Sequence, residues 1–211
     1  MVHPQLIPLS NHVKPYVPQG TELMVAQMII ENKIHVTITK HRATKLGDYR
    51  PPVNGKGHRI TLNKSLNQYS FLITFIHEVA HLTCWTQYQN KVAPHGREWK
   101  EHFKKQMHPF LMQDIFPERV KNALKNYMQN PAASSCADVD LLKALQEHQP
   151  EDGLLNLEEL DEHQIFELDG NKVFQKGPRE RKRYRCLNLI NKRYYFVNAL
   201  ARVRPVPPND K

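Results

Sequence analysis

The chain has 211 residues, 40% of them apolar, which is room for one sizeable domain and a small second one. No apolar run approaches the roughly 18 residues that cross a bilayer, and residues 1–11 lack a basic start followed by an apolar stretch; no membrane partner and no signal peptide are expected, and the expected compartment is the cytoplasm. Three widely spaced cysteines (Cys84, Cys136, Cys186) without a CxxC pair exclude a disulfide framework, and a net charge of +9 points to polyanions, of which nucleic acid is the commonest in a cytoplasm.

In chain order, Glu22 to Ile30 is apolar with helical spacing. Ile34, Val36 and Ile38 alternate with polar residues as in a half-buried strand. Gly47 to His58 is rich in proline and glycine and reads as a loop or hairpin connection, followed by a short β-compatible stretch, Arg59 to Leu62. From Ser70 to Gln87 a broad apolar stripe predicts a helix. A further helix is predicted from near Gly96, carrying Trp99, Phe103 and Met107, with Pro109 ending it or lying just beyond it. Pro117 reads as the first-turn proline of a helix over Glu118 to Met128. Asn130 to Ser135 reads as a linker, and Asp138 to His148 as a short helix.

Charge then segregates. Glu151 to Asp169 holds eight acids and no Lys or Arg, whereas Lys172 to Arg204 holds eleven Lys plus Arg and one acid. The basic block interleaves aromatic and aliphatic residues in a strand pattern, with Asp169-Gly170 as a hairpin turn and Arg202 to Lys211 as an extended tail. In Lys182-Arg183-Tyr184-Arg185 and Lys192-Arg193-Tyr194-Tyr195, cations could neutralise phosphates and rings could stack on bases; a hairpin with one solvated basic face explains the pattern equally well. The acidic segment could lie across the basic module and blunt DNA binding.

The chemistry concentrates in His77-Glu78-Val79-Ala80-His81. On a helix, residues i and i+4 share one face, so both imidazoles can bind one metal ion, and the intervening carboxylate can take a proton from water at that ion. A catalytic zinc site commonly has three protein ligands and an open position. His95, between Pro94 and Gly96, is favoured as the third, with Glu98, His102 and His108 as rivals. Trp85 and Trp99 read as helix-packing residues and Cys84 as a small buried one. For an oxyanion-stabilising group only Tyr49, Arg50 and His58 offer themselves, and they read better as ordinary loop residues.

The HEVAH motif, Trp85, and Val92-Ala93-Pro94-His95-Gly96-Arg97-Glu98-Trp99-Lys100 together resemble the SprT-like metalloproteases, with Ile60 to Asn63, Leu66 and Phe71 to Phe75 resembling their lead-in. The likeness covers about residues 20–110. It implies an α+β fold: a zincin-like metalloprotease core over 1–130, a small sheet packed on its active-site helices. A linker and acidic segment (131–163) and a small basic all-β module (164–211) follow. It also implies one catalytic zinc held by His77, His81 and His95, with Glu78 as general base. Bacterial relatives often end in a zinc ribbon; with only Cys186 in the module, a ribbon without its metal is expected here. Because eukaryotic members act on DNA-attached proteins, the resemblance implies a protein substrate, DNA as a partner and a cytoplasmic or nucleoid-associated place of action. The rival readings are a nucleic-acid-binding scaffold with a vestigial metal site and a zinc hydrolase of small peptides or amides.

Overall fold

The structure is a computed structural model describing residues 3–40, 45–134, 138–149, 153–168 and 172–207. It is mixed α+β, with six α-helices and two sheets among the described residues. The chain divides into two compact units, residues 1–149 and 150–211. No helix among the described residues is long and apolar enough to cross a membrane.

The first unit opens with α1 (Leu6–Val13), which the sequence pattern does not predict; with only Ser10 and Val13 buried, it has no apolar stripe to read. α2 (Glu22–Glu31) buries Val25, Ala26 and Ile29. β1 (His35–Thr39) runs parallel to β3 (Arg59–Asn63), and β2 (Gly47–Arg50) pairs antiparallel with β3, so the order is β1-β3-β2 and β2 lies at the sheet edge. The proline- and glycine-rich stretch expected as a connection thus begins with a strand. Pro51 and Pro52, which lack N–H donors, follow directly on β2. Asn54 and Gly55 then turn the chain with φ of 49° and 74°, the paired positive values of a type I′ hairpin.

α3 (Gln68–Tyr88) is the centre of this unit. Phe71, Leu72, Ile73, Phe75, Ile76, Val79, Ala80 and Leu82 are all buried, so the helix is covered nearly all round. Its N-cap Asn67 accepts a hydrogen bond from the Ser70 N–H and donates through Nδ2 to the Leu145 carbonyl. α4 (Arg97–Leu111) buries Trp99, Phe103, Met107 and Phe110 along one stripe. Pro109 lies inside this helix rather than ending it. At its last turn a proline forfeits one backbone bond, and the buried Phe110 anchors the residues beyond it. α5 (Glu118–Tyr127) has Pro117 as its N-cap, one position earlier than expected. α6 (Val139–Gln146), capped by Asp138, buries Leu141, Ala144 and Leu145 and packs on α5. The helical unit thus runs to 149 instead of 130, taking in α6 from the stretch 131–163 expected as linker and acidic segment.

The second unit is one antiparallel sheet. It comprises β4 (Leu155–Asn156), β5 (Ile165–Leu168), β6 (Lys172–Gln175), β7 (Arg179–Glu180), β8 (Arg183–Asn188), β9 (Tyr194–Asn198) and β10 (Arg202–Pro205). The order is β4-β10-β5-β6-β8, with β7 and β9 also paired to β8. Leu157, Leu160, Phe166, Phe174, Cys186, Val197 and Val203 form its core. The tail expected from Arg202 onward is instead a strand between β4 and β5, because Val203 supplies a fully buried side chain. Residues 155–168 contribute β4 and β5 to the same sheet, on the side away from β9. The Asp169-Gly170 turn and Cys136 lie outside the described residues. Inside the unit, Lys176 is buried; its ammonium donates to the carbonyls of Leu160 and Glu158 and sits 4.1 Å from the Tyr184 ring centre.

Candidate metal centre

α3 supplies His77, Glu78 and His81, and the turn before α4 supplies His95. That turn has a local cause. Gly96 N–H donates to the Ala93 carbonyl at 3.0 Å, Pro94 fixes the first corner, and His95 takes φ of 57° at the second, the pattern of a type II turn. A Cβ on residue 96 would lie 2.9 Å from the Ala93 oxygen, so glycine is required there. A histidine in the left-handed region is uncommon and costs backbone energy; such strain collects at functional sites.

The three imidazoles converge. His81 Nε2 lies 3.2 Å and His95 Nε2 3.3 Å from His77 Nε2, and one ligand atom from each ring falls within 4.8 Å of the others. A tetrahedral metal with metal–nitrogen bonds of about 2.05 Å separates its ligand nitrogens by about 3.3 Å, so the spacing fits such an ion. Burial, then the neighbouring charges of His81 and His95, pushes the His77 pKa down to about 3. Burial and the charge of His95 push His81 down to about 4, and burial lowers His95 as well. All three rings are thus held neutral near pH 7, the form that ligates a metal.

The centre has an aromatic floor. The Trp99 ring lies 4.7 Å from His77, 5.3 Å from His81 and 4.7 Å from His95 between centroids, and it stacks on Phe103 at 5.1 Å. Its indole nitrogen is buried without a hydrogen-bond partner among the described residues. Opposite, β2 presses on the carboxylate: a Cβ on Gly47 would lie 2.9 Å from Glu78 Oε1 and 2.7 Å from Thr74 Cγ2. Glu78 is buried, and a cleft of about 550 Å³ opens over it and the imidazoles, walled by β2 on one side and reaching Phe103 and Tyr127.

A model of the SprT-like family matches residues 19–122. Residues 19–122 belong to the SprT-like family. No curated protein and no solved structure matches the chain. The SprT-like segment contains the whole His77–His81–His95 cluster, and the family's function is of the metalloprotease type.

The other candidates are occupied elsewhere in this SprT-like domain. Glu98 is not part of the cluster, and its charge, after burial, raises the pKa of the buried Cys84 thiol. His102 bonds Thr83 Oγ1 at 2.9 Å and Gln87 Oε1 at 3.1 Å, joining α4 to α3, and His108 is exposed. Tyr49 lines the cleft with its hydroxyl 2.9 Å from His58 Nδ1, and burial raises its pKa, so the phenol stays protonated. Arg50 is exposed and pairs with Asp48 at 2.8 Å. Trp99 is core, whereas Trp85 is half-buried with its ring edge-on to His58 at 5.6 Å. Sequence reasoning misses Gly47, Thr74 and the packing of Trp99 on all three imidazoles. The four-residue step from His95 to Trp99, one helical turn, is the one available signal for the last.

Proposed function

We propose that the chain is a zinc-dependent metalloendopeptidase with a zincin-like core, acting on DNA-bound or DNA-crosslinked proteins. The observation that carries this reading is the convergence of three imidazoles beside a buried carboxylate at the foot of an open cleft. His77, His81 and His95 would hold the ion, and three imidazoles suit zinc. Zinc bound there would supply Lewis-acid polarisation of the scissile carbonyl and a lowered pKa for the attacking water.

Everything else falls to the chain. Glu78 takes the proton of the attacking water and passes it to the leaving amine nitrogen. Trp99 and Phe103 exclude water beneath the imidazoles. Gly47 lets β2 approach close to Glu78, and β2, at the edge of the described sheet, lines the cleft where an extended peptide can lie. Tyr49, kept protonated, is a donor on the same wall. DNA as a partner is supported by the net charge of +9 and by the basic strands of the second unit.

The test compares wild type with Glu78→Gln on a DNA-binding protein substrate, with and without DNA. Hydrolysis should fall by about 10²–10⁴-fold, the usual contribution of a general acid–base group. Zinc content should be unchanged. Equal cleavage by both proteins would overturn the assignment of Glu78, and no cleavage by either, with zinc bound, would overturn the peptidase reading.

A further inference from the structure

The cleft wall formed by β2 carries a phenol held by a histidine. β2 pairs with β3 so that Gly47 stands opposite Leu62 and Tyr49 opposite Ile60. Directly opposed side chains share one face of a sheet. Leu62 and Ile60 are fully buried, and a Cβ on Gly47 would meet Thr74 and Glu78, so this face is the one turned to α3. Tyr49 follows Gly47 on that face, about 6.8 Å further along the strand. Its rings give the direction. Tyr49 stacks on His58 at 5.9 Å, and His58 stands edge-on to Trp85 at 5.6 Å. Trp85 lies one helical turn beyond His81, so β2 runs from Glu78 toward the turn between His81 and Trp85. Tyr49, Glu78 and His81 line the same cleft. The other hydroxyls and the ammonium around it are engaged. Thr74 Oγ1 donates to the Ser70 carbonyl at 2.7 Å, the Tyr127 hydroxyl to the Ala132 carbonyl at 2.8 Å, and the Lys45 ammonium pairs with Asp48 at 2.7 Å. Ser134 has a partner too. Tyr49 differs because its partner, His58 Nδ1 at 2.9 Å, can donate as well as accept. Burial lowers the His58 pKa and raises that of Tyr49, so near pH 7 the imidazole is uncharged and the phenol keeps its proton. With the imidazole proton on Nδ1, the ring donates to the phenol oxygen and leaves the phenol hydrogen free.

We propose that Tyr49 is a catalytic residue whose phenol O–H donates to the oxygen of the scissile carbonyl as negative charge develops there, and that His58 is its positioning residue. The proposal rests on the peptidase reading above and deepens it. When the water oxygen bonds to the carbonyl carbon, the C=O π pair moves onto the carbonyl oxygen. The water proton goes to Glu78, and the phenol keeps its own proton and gives only a hydrogen bond. When the C=O bond re-forms, the C–N bond breaks and the amine leaves with the proton from Glu78. A donor whose bond strengthens only as this charge develops lowers the barrier without tightening the substrate. The stacked imidazole and the edge-on indole hold the phenol in place ahead of the reaction.

The test compares Tyr49→Phe with wild type in the zinc-loaded full chain. It uses peptide-hydrolysis kinetics and the affinity for a phosphinic analogue of a short alanine peptide, whose anionic oxygens imitate the charged carbonyl oxygen. In Tyr49→Phe, kcat should fall by about 10²–10³-fold, the usual loss for one such donor, with KM little changed. The analogue should bind more weakly by a similar factor. Zinc content and melting temperature should hold, because the ring and its stacking remain. His58→Leu should lower kcat by about tenfold, the worth of one hydrogen bond. His58→Asn, which can offer an amide N–H near the Nδ1 position, should recover that loss. In the Tyr49→Phe background, His58→Leu should cost nothing more, since no hydroxyl is left to position. Equal analogue affinity and wild-type kcat in Tyr49→Phe, or loss of zinc along with activity, would overturn the role of Tyr49. An equal loss from His58→Leu with and without the hydroxyl would overturn that of His58. The analogue is read without turnover, so a wild type that cleaves nothing would sink the peptidase reading and leave Tyr49 to be judged on binding alone.

Discussion

The two units treat nitrogen-bearing side chains in opposite ways. In the first, three histidines crowd within 4.8 Å, stripped of water and held neutral over a tryptophan. In the second, the arginines and lysines of β8 and of its turn to β9 lie in solvent, flanked by exposed rings. Burial turns the first set into lone-pair donors suited to a metal. Exposure leaves the second set as cations suited to a polyanion, whose hold weakens as salt screens it. A buried metal site should feel added salt far less, so titrating each unit's ligand against salt is the simplest expression of the contrast.

The sharpest way to break the comparison is to remove a member of the crowded set. His95→Ala should abolish stable metal binding, an effect beyond the roughly 100-fold upper range for losing an outer-shell partner. Glu98→Ala, outside the cluster, should keep the metal. Metal analysis after dialysis checks both; retained metal in the first and lost metal in the second would reverse the assignment. Next in size is Gly47→Ala, whose Cβ would press within 2.9 Å of Glu78 Oε1. A displaced carboxylate can cost on the order of 100-fold in rate, and peptide-hydrolysis assays should show that loss with metal still bound. Activity close to wild type would mean that β2 yields easily and does not fix Glu78.

How much of this is legible in the sequence follows the same division. The HEVAH spacing gives the two-imidazole face directly, because helix geometry is local. Spacing prefers His95 over Glu98 only modestly, since the decision depends on a turn whose φ of 57° at a histidine no residue pattern announces. The strands Gly47–Arg50 and Arg202–Pro205 are hidden by glycine and prolines, and pairing with β3 and β5 overrides weak local preference. The sheet that joins acidic and basic segments is likewise a non-local fact. The place of Trp99 under three rings drawn from two elements can be inferred only once α3 and α4 are packed.

Acid should separate the units without any substitution. For the metal-free protein, His77, His81 and His95 have folded pKa values below the ordinary 6.5, so below about pH 6.5 the unfolded chain binds more protons than the folded one. Stability of the first unit is therefore full above that pH and falls as pH drops toward about 4 and then about 3, the values for His81 and His77. The second unit holds none of these three imidazoles. Thermal unfolding of the metal-free chain at a series of pH values checks this, and replacing His77 and His81 by Gln should flatten the acid slope. An unchanged slope would mean that the imidazoles are not held neutral by burial.

The smallest effect, Trp99→Phe, asks whether the aromatic floor orients the ligands or only fills space. Because the indole N–H is buried without a partner among the described residues, phenylalanine removes no hydrogen bond seen there and relieves an unsatisfied donor. The reduced ring area works the other way, so overall stability should shift little. Among the described residues the three imidazoles have no hydrogen bonds except the approaches among themselves, so ring packing is what sets their planes. If Trp99 orients them, Phe should weaken metal binding by about tenfold, the low end for outer-shell changes, and should alter the visible spectrum of the cobalt-substituted protein. Trp99→Leu, which has no ring to present, should weaken it further. Equal metal affinity and an unchanged cobalt spectrum in both variants would reduce Trp99 to a core residue.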